Sequence, residues 1–466
     1  MYGRDEQIKE FEEYMSSARS EFVVITGRRR IGKTFLVNEI FRDKFSFYYT
    51  GGHNLNMQRQ LQNFSSALQE YGRMALEPKL KNWFEAFKML RHILEKDRKR
   101  HKKVVFFDEM PWIDTPKSDF IAALENFWNA WAAQRNDILL IATGSATSWM
   151  ADKLYSNKGG LHNRVTHRIY LQPFSLSETE QYLQSVGCKW DRYQQVQAYM
   201  IFGGVPFYLS LISPKESLDY NIDKLFFNPN AQLRNEFDEL YPALFAHSEL
   251  YIKVIRALAS RRDGMTRKEI SEVTKLQGST LSKILKNLCL CDFVIDYVQF
   301  AHSKQGTVYR LSDFYTLFYL YFVDKDNSKD IGRWSHISKS AKSIIWQGLT
   351  FELVCLTHIQ QIKKALGIDG IETEVSTWRG EGMQIDMIID RADRLINLCE
   401  IKFSKEPIAI SKEYAEHVRL RSALFRQKTQ TRKGLINTFI TSYGVLQGKN
   451  SSVADNEIVI NQLFVQ

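Results

Sequence analysis

No apolar run in the 466 residues approaches the roughly 18 needed to cross a bilayer, so a membrane-spanning helix is not expected. The opening residues, Met1-Tyr2-Gly3-Arg4-Asp5-Glu6, lack the apolar core of a secretory signal. Cysteine is scarce. Its five residues (Cys188, Cys289, Cys291, Cys355, Cys399) show no metal-ligand spacing, and Cys289-Leu290-Cys291 is too tight for a usual zinc pair. A soluble protein in a reducing compartment, the cytoplasm, is the expectation. Acidic residues are fewer than basic ones, 53 against 63, which leaves a formal charge of +10. That balance favours a polyanionic partner, nucleic acid (DNA more than RNA). The run Glu95 to Lys103 reads either as a solvated helix end or as part of a binding patch. Hydrophobic content is an ordinary 44%, enough for a core in each of about three domains at roughly 150 residues apiece.

What the sequence does have is Gly27-Arg28-Arg29-Arg30-Ile31-Gly32-Lys33-Thr34, which fits G-x-x-x-x-G-K-[ST]. Phe22-Val23-Val24-Ile25-Thr26 before it reads as a buried strand, and the stretch from Phe35 to Phe41 has helical spacing. Strand, glycine loop and helix together predict a triphosphate site. Gly27 and Gly32 let backbone approach an anion, the helix N-terminus offers N–H groups, and Lys33 adds a charge. Thr34 would hold Mg²⁺.

Val104-Val105-Phe106-Phe107-Asp108-Glu109 is a buried strand with two carboxylates at its C-terminal end, where open α/β sheets place ligands. Asp108 would serve the metal and Glu109 would polarise the attacking water. A further apolar strand, Ile138 to Ala142, ends in Thr143-Gly144-Ser145. Ser145 or Thr143 would sense the γ-phosphate, or Ser145 would cap the next helix. In the loop and strand from Gly159 to Leu171, Arg164 is the candidate arginine finger ahead of Arg168, with a surface ion pair the alternative for each.

The ordered set GRRRIGKT, VVFFDE, LLIATGS, NRVTHRIYLQPFSLSE and Phe202-Gly203-Gly204-Val205-Pro206 resembles the AAA+-related archaeal-type ATPases, among the signal-transduction NTPases with numerous domains (STAND). The resemblance covers about residues 1–240. It implies ATP and Mg²⁺ as cofactors, with the loop from Gly27 to Phe35 cradling the phosphates. It also implies that Gly3 and Arg4 lie by the adenine and that Pro206 belongs to a helical lid. Three arginines inside the loop depart from P-loops in general.

Residues 249–323 have another rhythm. A helix over Tyr251–Ala259 precedes a second opened by a capping box at Thr266-Arg267-Lys268-Glu269, then a third over Thr280–Leu288. Two β-like segments, Phe293–Phe300 and Gly306–Leu311, flank His302-Ser303-Lys304-Gln305. This predicts a winged helix-turn-helix offering Ser279, Thr280, Ser282, Lys283 and Lys286 to a major groove, or a rigid spacer.

Further on, a helix from Trp346 carries Glu352, a strand Met383–Ile389 carries Asp386, and a strand Leu395–Lys402 carries Glu400 and Lys402. Positions i and i+2 share a strand face, and acids and a lysine on core strands are costly to bury unpaired. The layout over about 340–450 resembles the PD-(D/E)XK nuclease core, without the motif's proline. It implies that Asp386 and Glu400 bind a divalent cation, that Lys402 orients water or steadies the transition state, and that Glu352 helps to place the metal. Basic residues on the helix Ser411–Gln430 (Arg419, Arg421, Arg426, Lys428) suit phosphates or plain solvation.

The expected fold is therefore multidomain α/β: a mostly parallel P-loop NTPase sheet over 1–175, a helical lid over 176–245, a winged helix over 246–325, and a restriction-endonuclease-like domain over 335–466. The expected function is an ATPase switch coupled to a nucleic-acid-binding or metal-dependent nuclease domain, with an oligomer or partner protein possible in principle. The alternatives are a sensor or scaffold with a non-cleaving tail, and a DNA-binding regulator.

Overall fold

The computed structural model describes residues 2–97, 102–145, 147–155, 161, 163–261, 263–300, 307–326 and 332–465. Residues 98–101 of the basic run, Gly159, Gly160 and His162 of the arginine loop, and His302–Gln305 with Gly306 lie outside them. The chain divides into two compact units, Met1–Gln172 and Pro173–Gln466.

In the first unit β1 (Glu21–Thr26), β2 (Phe45–Thr50), β3 (Lys103–Asp108), β4 (Ile138–Gly144) and β5 (His167–Tyr170) form one sheet in the order β2-β3-β4-β1-β5. All four pairings are parallel. β1, β3 and β4 are buried along their whole length, which is why they read as unbroken apolar runs rather than alternating ones. Aromatic residues fill one face: Phe64, Phe87, Phe107 and Phe120 pack around Trp83 and its neighbours. The last residues of the basic run enter this sheet. Lys103 begins β3, is buried, and pairs with Asp137 at 2.5 Å. It is therefore neither solvated nor available as a patch.

In the second unit one apolar core runs from Phe174 to Phe464. Helices Ser248–Ala259, Arg267–Thr274 and Gly278–Leu290 stand with a small sheet of β6 (Met265–Thr266), β7 (Val294–Val298) and β8 (Thr307–Leu311), ordered β6-β8-β7. The Thr266/Glu269 capping box is formed in both directions. The third helix starts at Gly278 rather than Thr280, and Leu281, Ile284, Leu285 and Leu288 are its buried face.

A second five-stranded sheet is mixed: β9 (Thr373–Gly380), β10 (Met383–Arg391), β11 (Leu395–Lys402), β12 (Gly434–Thr441) and β13 (Asn456–Val459), in the order β13-β12-β11-β10-β9. β9, β10 and β11 are antiparallel, and β11, β12 and β13 are parallel. Helices Ala341–Thr357 and Lys412–Thr429 both pack on it. The end of β7 also ties on: Phe300 donates its N–H to Thr377 of edge strand β9 at 2.9 Å, and its ring lies 5.0 Å from that of Phe425.

Candidate functional site

The residues at the C-terminal ends of β1, β3 and β4 form one polar cluster. The chain leaves β1 through Gly27 at φ +141, and a Cβ there would lie 2.3 Å from the Leu171 carbonyl oxygen. Arg30 and Gly32 also have positive φ, +74 and +85, and Gly32 caps the helix Lys33–Phe41. Alternating backbone hand of this kind turns successive N–H groups inward, as an anion cradle requires. Lys33 is 5% exposed and its Nζ donates to the Gly27 and Arg28 carbonyls at 3.1 and 2.9 Å. Arg28 is buried, Arg29 and Arg30 are half-buried, Ile31 is buried, and Phe35 is 57% exposed.

Asp108 lies within this cluster. Its Oδ1 accepts from Thr34 Oγ1 at 2.8 Å and from Thr143 Oγ1 at 2.6 Å. Burial pushes the Asp108 carboxyl up, and the two threonine hydroxyls pull against that. Thr143 is fully buried and also accepts the Glu109 N–H at 3.1 Å, so it braces the two acids rather than facing a ligand. Glu109 itself sits at φ +48, an uncommon region for a residue with a side chain. Its carboxylate is held twice by Ser145, from Oγ at 2.6 Å and from the backbone N–H at 3.1 Å. Sequence reasoning placed Ser145 at the phosphate or at a helix cap and missed this contact.

Arg4 joins the cluster from the chain's start. It is buried, and its Nη2 donates to the Gln172 carbonyl at 2.8 Å and reaches the Ile31 carbonyl at 3.5 Å. Gly3 before it has φ +62. Arg164 is solvent-exposed and forms no ion pair among the described residues, whereas Arg168 has a partner. Pro206 belongs to the second unit, where it opens the short helix Pro206–Ser210. The donor set suits a metal-bound triphosphate: a lysine and inward N–H groups for phosphate, and a hydroxyl beside a carboxylate for a hard cation.

A second cluster lies on the mixed sheet. The register Met387↔Cys399 sets Asp386 beside Glu400, and the β9–β10 pairing slips between Ile385 and Ile388, a bulge that re-aims Asp386. Asp386 Oδ2 accepts the Ile401 N–H at 3.2 Å. Glu400 Oε1 accepts from Tyr414 Oη and from Lys402 Nζ, each at 2.8 Å, and Oε2 is held by Arg421 Nη1. Glu352, on the helix Ala341–Thr357, faces Arg310 Nη2 of β8 at 3.5 Å.

Electrostatics divides these acids. Burial, then Asp386, push the Glu352 carboxyl up to about 7, and burial, then Glu400, raise Asp386. Burial also works against ionised Glu400, but Arg421 and Lys402 outweigh it and bring that carboxyl down to about 2. The structure thus gathers Glu352, Asp386, Glu400 and Lys402 around one place. As arranged, however, both Glu400 oxygens already accept hydrogen bonds from this chain's own side chains, Oε2 from the Arg421 guanidinium. Among the described residues no three His, Cys, Asp or Glu side chains are grouped to hold a metal. Arg310 and Tyr414 were not singled out by sequence reasoning, and Arg421 was named only among basic residues suited to phosphates or solvation, not as a partner of Glu400. Arg421 had a signal: on its helix the buried positions are Ala415, Val418, Arg421 and Phe425, so a cation sits in the apolar stripe.

Residues 1–212 match the family model described as an ATPase domain predominantly from Archaea. An uncharacterized protein of Methanocaldococcus jannaschii is 24% identical over 404 residues, covering 86% of this chain and 87% of its own. The Walker-type ATPase structure of Pyrococcus abyssi is 18% identical with a TM-score of 0.50, over 69% of this chain and 96% of that one. The ORC2 protein of Aeropyrum pernix, in its ADPNP–ADP complexes, reaches 0.44 at 14% identity, over 69% and 93%. No helix among the described residues is long and apolar enough to cross a membrane. The N-terminal part of the chain is therefore similar to an archaeal-type ATPase domain, and its parallel sheet has the fold of a Walker-type ATPase.

Proposed function

We propose that the protein is an ATP-hydrolysing switch. The observation that carries this reading is the contact of Thr34 Oγ1 with Asp108 Oδ1, 2.8 Å, between the first turn of the helix that follows β1 and the C-terminal end of β3. When bound, Mg²⁺ would neutralise charge building on the phosphates, with Thr34 and Asp108 its protein partners. Backbone N–H groups from Gly27 to Lys33 orient the phosphates, and the Lys33 ammonium leaves the Gly27 and Arg28 carbonyls for a phosphate oxygen. Glu109 accepts hydrogen bonding from the attacking water, and Ser145 fixes the carboxylate for that task. Gly3 and Arg4 flank the base, Pro206 serves a lid, and Arg164 is the finger. Lys33→Ala should weaken ATP binding by about two orders of magnitude, the scale of lost charge-assisted contacts. Calorimetric titration giving an unchanged affinity would place the nucleotide elsewhere.

The second unit supplies what the switch controls. Residues 246–325 are read as a winged helix, whose Ser279, Thr280, Ser282 and Lys283 are exposed beside the buried stripe. Residues 335–466 are read as a PD-(D/E)XK nuclease-like domain, and 176–245 as the lid. The net charge of +10 suits a nucleic-acid partner. A second reading, a sensor with a non-cleaving tail, gains from one observation: both oxygens of Glu400 are engaged by side chains of this chain, Tyr414, Lys402 and Arg421. Both readings describe the same tail in different states if its acids are held back from metal.

A further inference from the structure

A cavity of about 80 Å³ lies inside the second unit. It is walled by the end of the helix Ser248–Ala259, by β8, by the consecutive helical turns Phe314–Phe318 and Tyr319–Val323, and by the helix Ala341–Thr357. One water needs about 10–15 Å³ of such space, so the cavity has room for several waters or for one small organic molecule. Leu258, Leu317, Leu320, Trp346 and Leu353 give it an apolar wall. Water gains little from such a wall, whereas an apolar body is favoured there.

Two arginines line it as well, and they differ. Arg261 is 55% exposed at its side chain and is already paired with Glu269. Arg310 is only 9% exposed, because the strand period sets it with Val308 on the inner face of β8. Its guanidinium is engaged through one nitrogen. Nη2 donates to the Leu349 carbonyl at 3.2 Å and reaches Glu352 Oε2 at 3.5 Å, too long for a strong ion pair. Nη1 and Nε make no hydrogen bond among the described residues. Buried donors left unmade are costly, so this wall lacks an acceptor that the chain does not supply.

We infer that the cavity binds a small organic monocarboxylate, with its acid head on Arg310 and its apolar body against the leucines and Trp346. The class follows from the wall. An inorganic anion would leave the leucines facing water, and a neutral apolar molecule would leave the Arg310 N–H groups unmade. A dianion would meet one uncommitted guanidinium with the Glu352 carboxyl beside it, one positive charge too few. The assignment stands apart from the nucleotide, winged-helix and nuclease-like readings, and it makes the second unit a receptor for an acid of low molecular weight.

The test is calorimetric titration of full-length protein with benzoate and isovalerate, two acids of different girth, and with benzamide, the neutral counterpart of the first. One acid per chain should bind, and benzamide at least about tenfold more weakly than benzoate, the scale of a hydrogen bond to a charged group. Arg310→Met keeps the apolar stem, loses the charged head, and should weaken acid binding at least about tenfold. That change also strips Glu352 of its partner and can unfold the domain, so Leu317→Phe is measured beside it. It fills the cavity without removing a charge and should lower the affinity by a similar factor. Parent protein that takes up neither acid at millimolar concentration overturns the inference, as does benzamide bound as tightly as benzoate. A folded Arg310→Met or Leu317→Phe protein with the parent's affinity places the acid elsewhere and overturns it equally.

Discussion

The two polar clusters use the same raw material, adjacent carboxylates at buried strands, and differ in what holds them. Asp108 and Glu109 are held by hydroxyls and N–H groups: Thr34, Thr143 and Ser145. Glu400 is held by cations, Lys402 and Arg421. A neutral donor orients a carboxylate and leaves its charge for a metal to claim. A guanidinium orients it equally well and cancels that charge. The first arrangement is poised for a cation that arrives with its substrate. The second is complete without one.

The largest break in this comparison should come at Glu109. Glu109→Gln removes the water-polarising charge while keeping an amide that Ser145 can still bond. ATP binding should persist and turnover fall by roughly 10²–10⁴-fold, the range for a general base. Near-normal phosphate release in steady state would move that role to another residue.

The next effect belongs to folding rather than to either cluster. His358 is 2% exposed, accepts the Leu176 N–H at Nε2 (2.9 Å), and so must donate from Nδ1 to the Val354 carbonyl (2.8 Å). Burial brings its pKa down from 6.5 to about 4. Below 6.5 the unfolded chain binds the proton that the folded one refuses, so stability falls as pH drops from 6.5 towards 4. The loss amounts to about 3 kcal/mol. Chemical denaturation at pH 7.5 and 4.5 should show it, and His358→Gln should flatten that share of the difference. An equal drop in the variant would assign the acid sensitivity elsewhere.

A smaller effect sharpens the role of neutral donors. Thr143→Val removes one of the two hydroxyls on Asp108 and the acceptor for the Glu109 N–H. The Mg²⁺ concentration for half-maximal ATP hydrolysis should rise about tenfold, the low end for loss of a ligand's orienting partner. An unchanged Mg²⁺ dependence would make Thr143 a packing residue only.

Much of this was legible in the sequence, and the parts that were not share a cause. Runs such as Val104–Phe107 and Ile138–Ala142 announce buried parallel strands because nothing along them alternates. The capping box at Thr266 announces a helix start because its two bonds are local. Glu400 and Lys402 share a face by strand period alone, and their side chains do meet. The Ser145–Glu109 contact joins two loops, and a serine after a glycine has several equally good local uses. Arg421 lay in a row of basic residues, where Arg419 and Arg426 are exposed as solvation predicts. Only the spacing Ala415, Val418, Phe425 sets Arg421 apart. Its partner, Glu400, lies 21 residues earlier, and no local rule joins the two. The hairpin's tie to β9 was hidden for the same reason.

The most direct measurement sets one acid from each cluster against the other: Mg²⁺-dependent ATP hydrolysis by Asp108→Asn and Asp386→Asn proteins beside the parent. If hydroxyl-held acids serve nucleotide chemistry and cation-held acids do not, Asp108→Asn should lose at least about 10²-fold in turnover. Asp386→Asn should stay within about twofold, since no part of the proposed ATP site includes it. Equal losses in both, or an Asp108→Asn protein that hydrolyses ATP like the parent, would contradict that division.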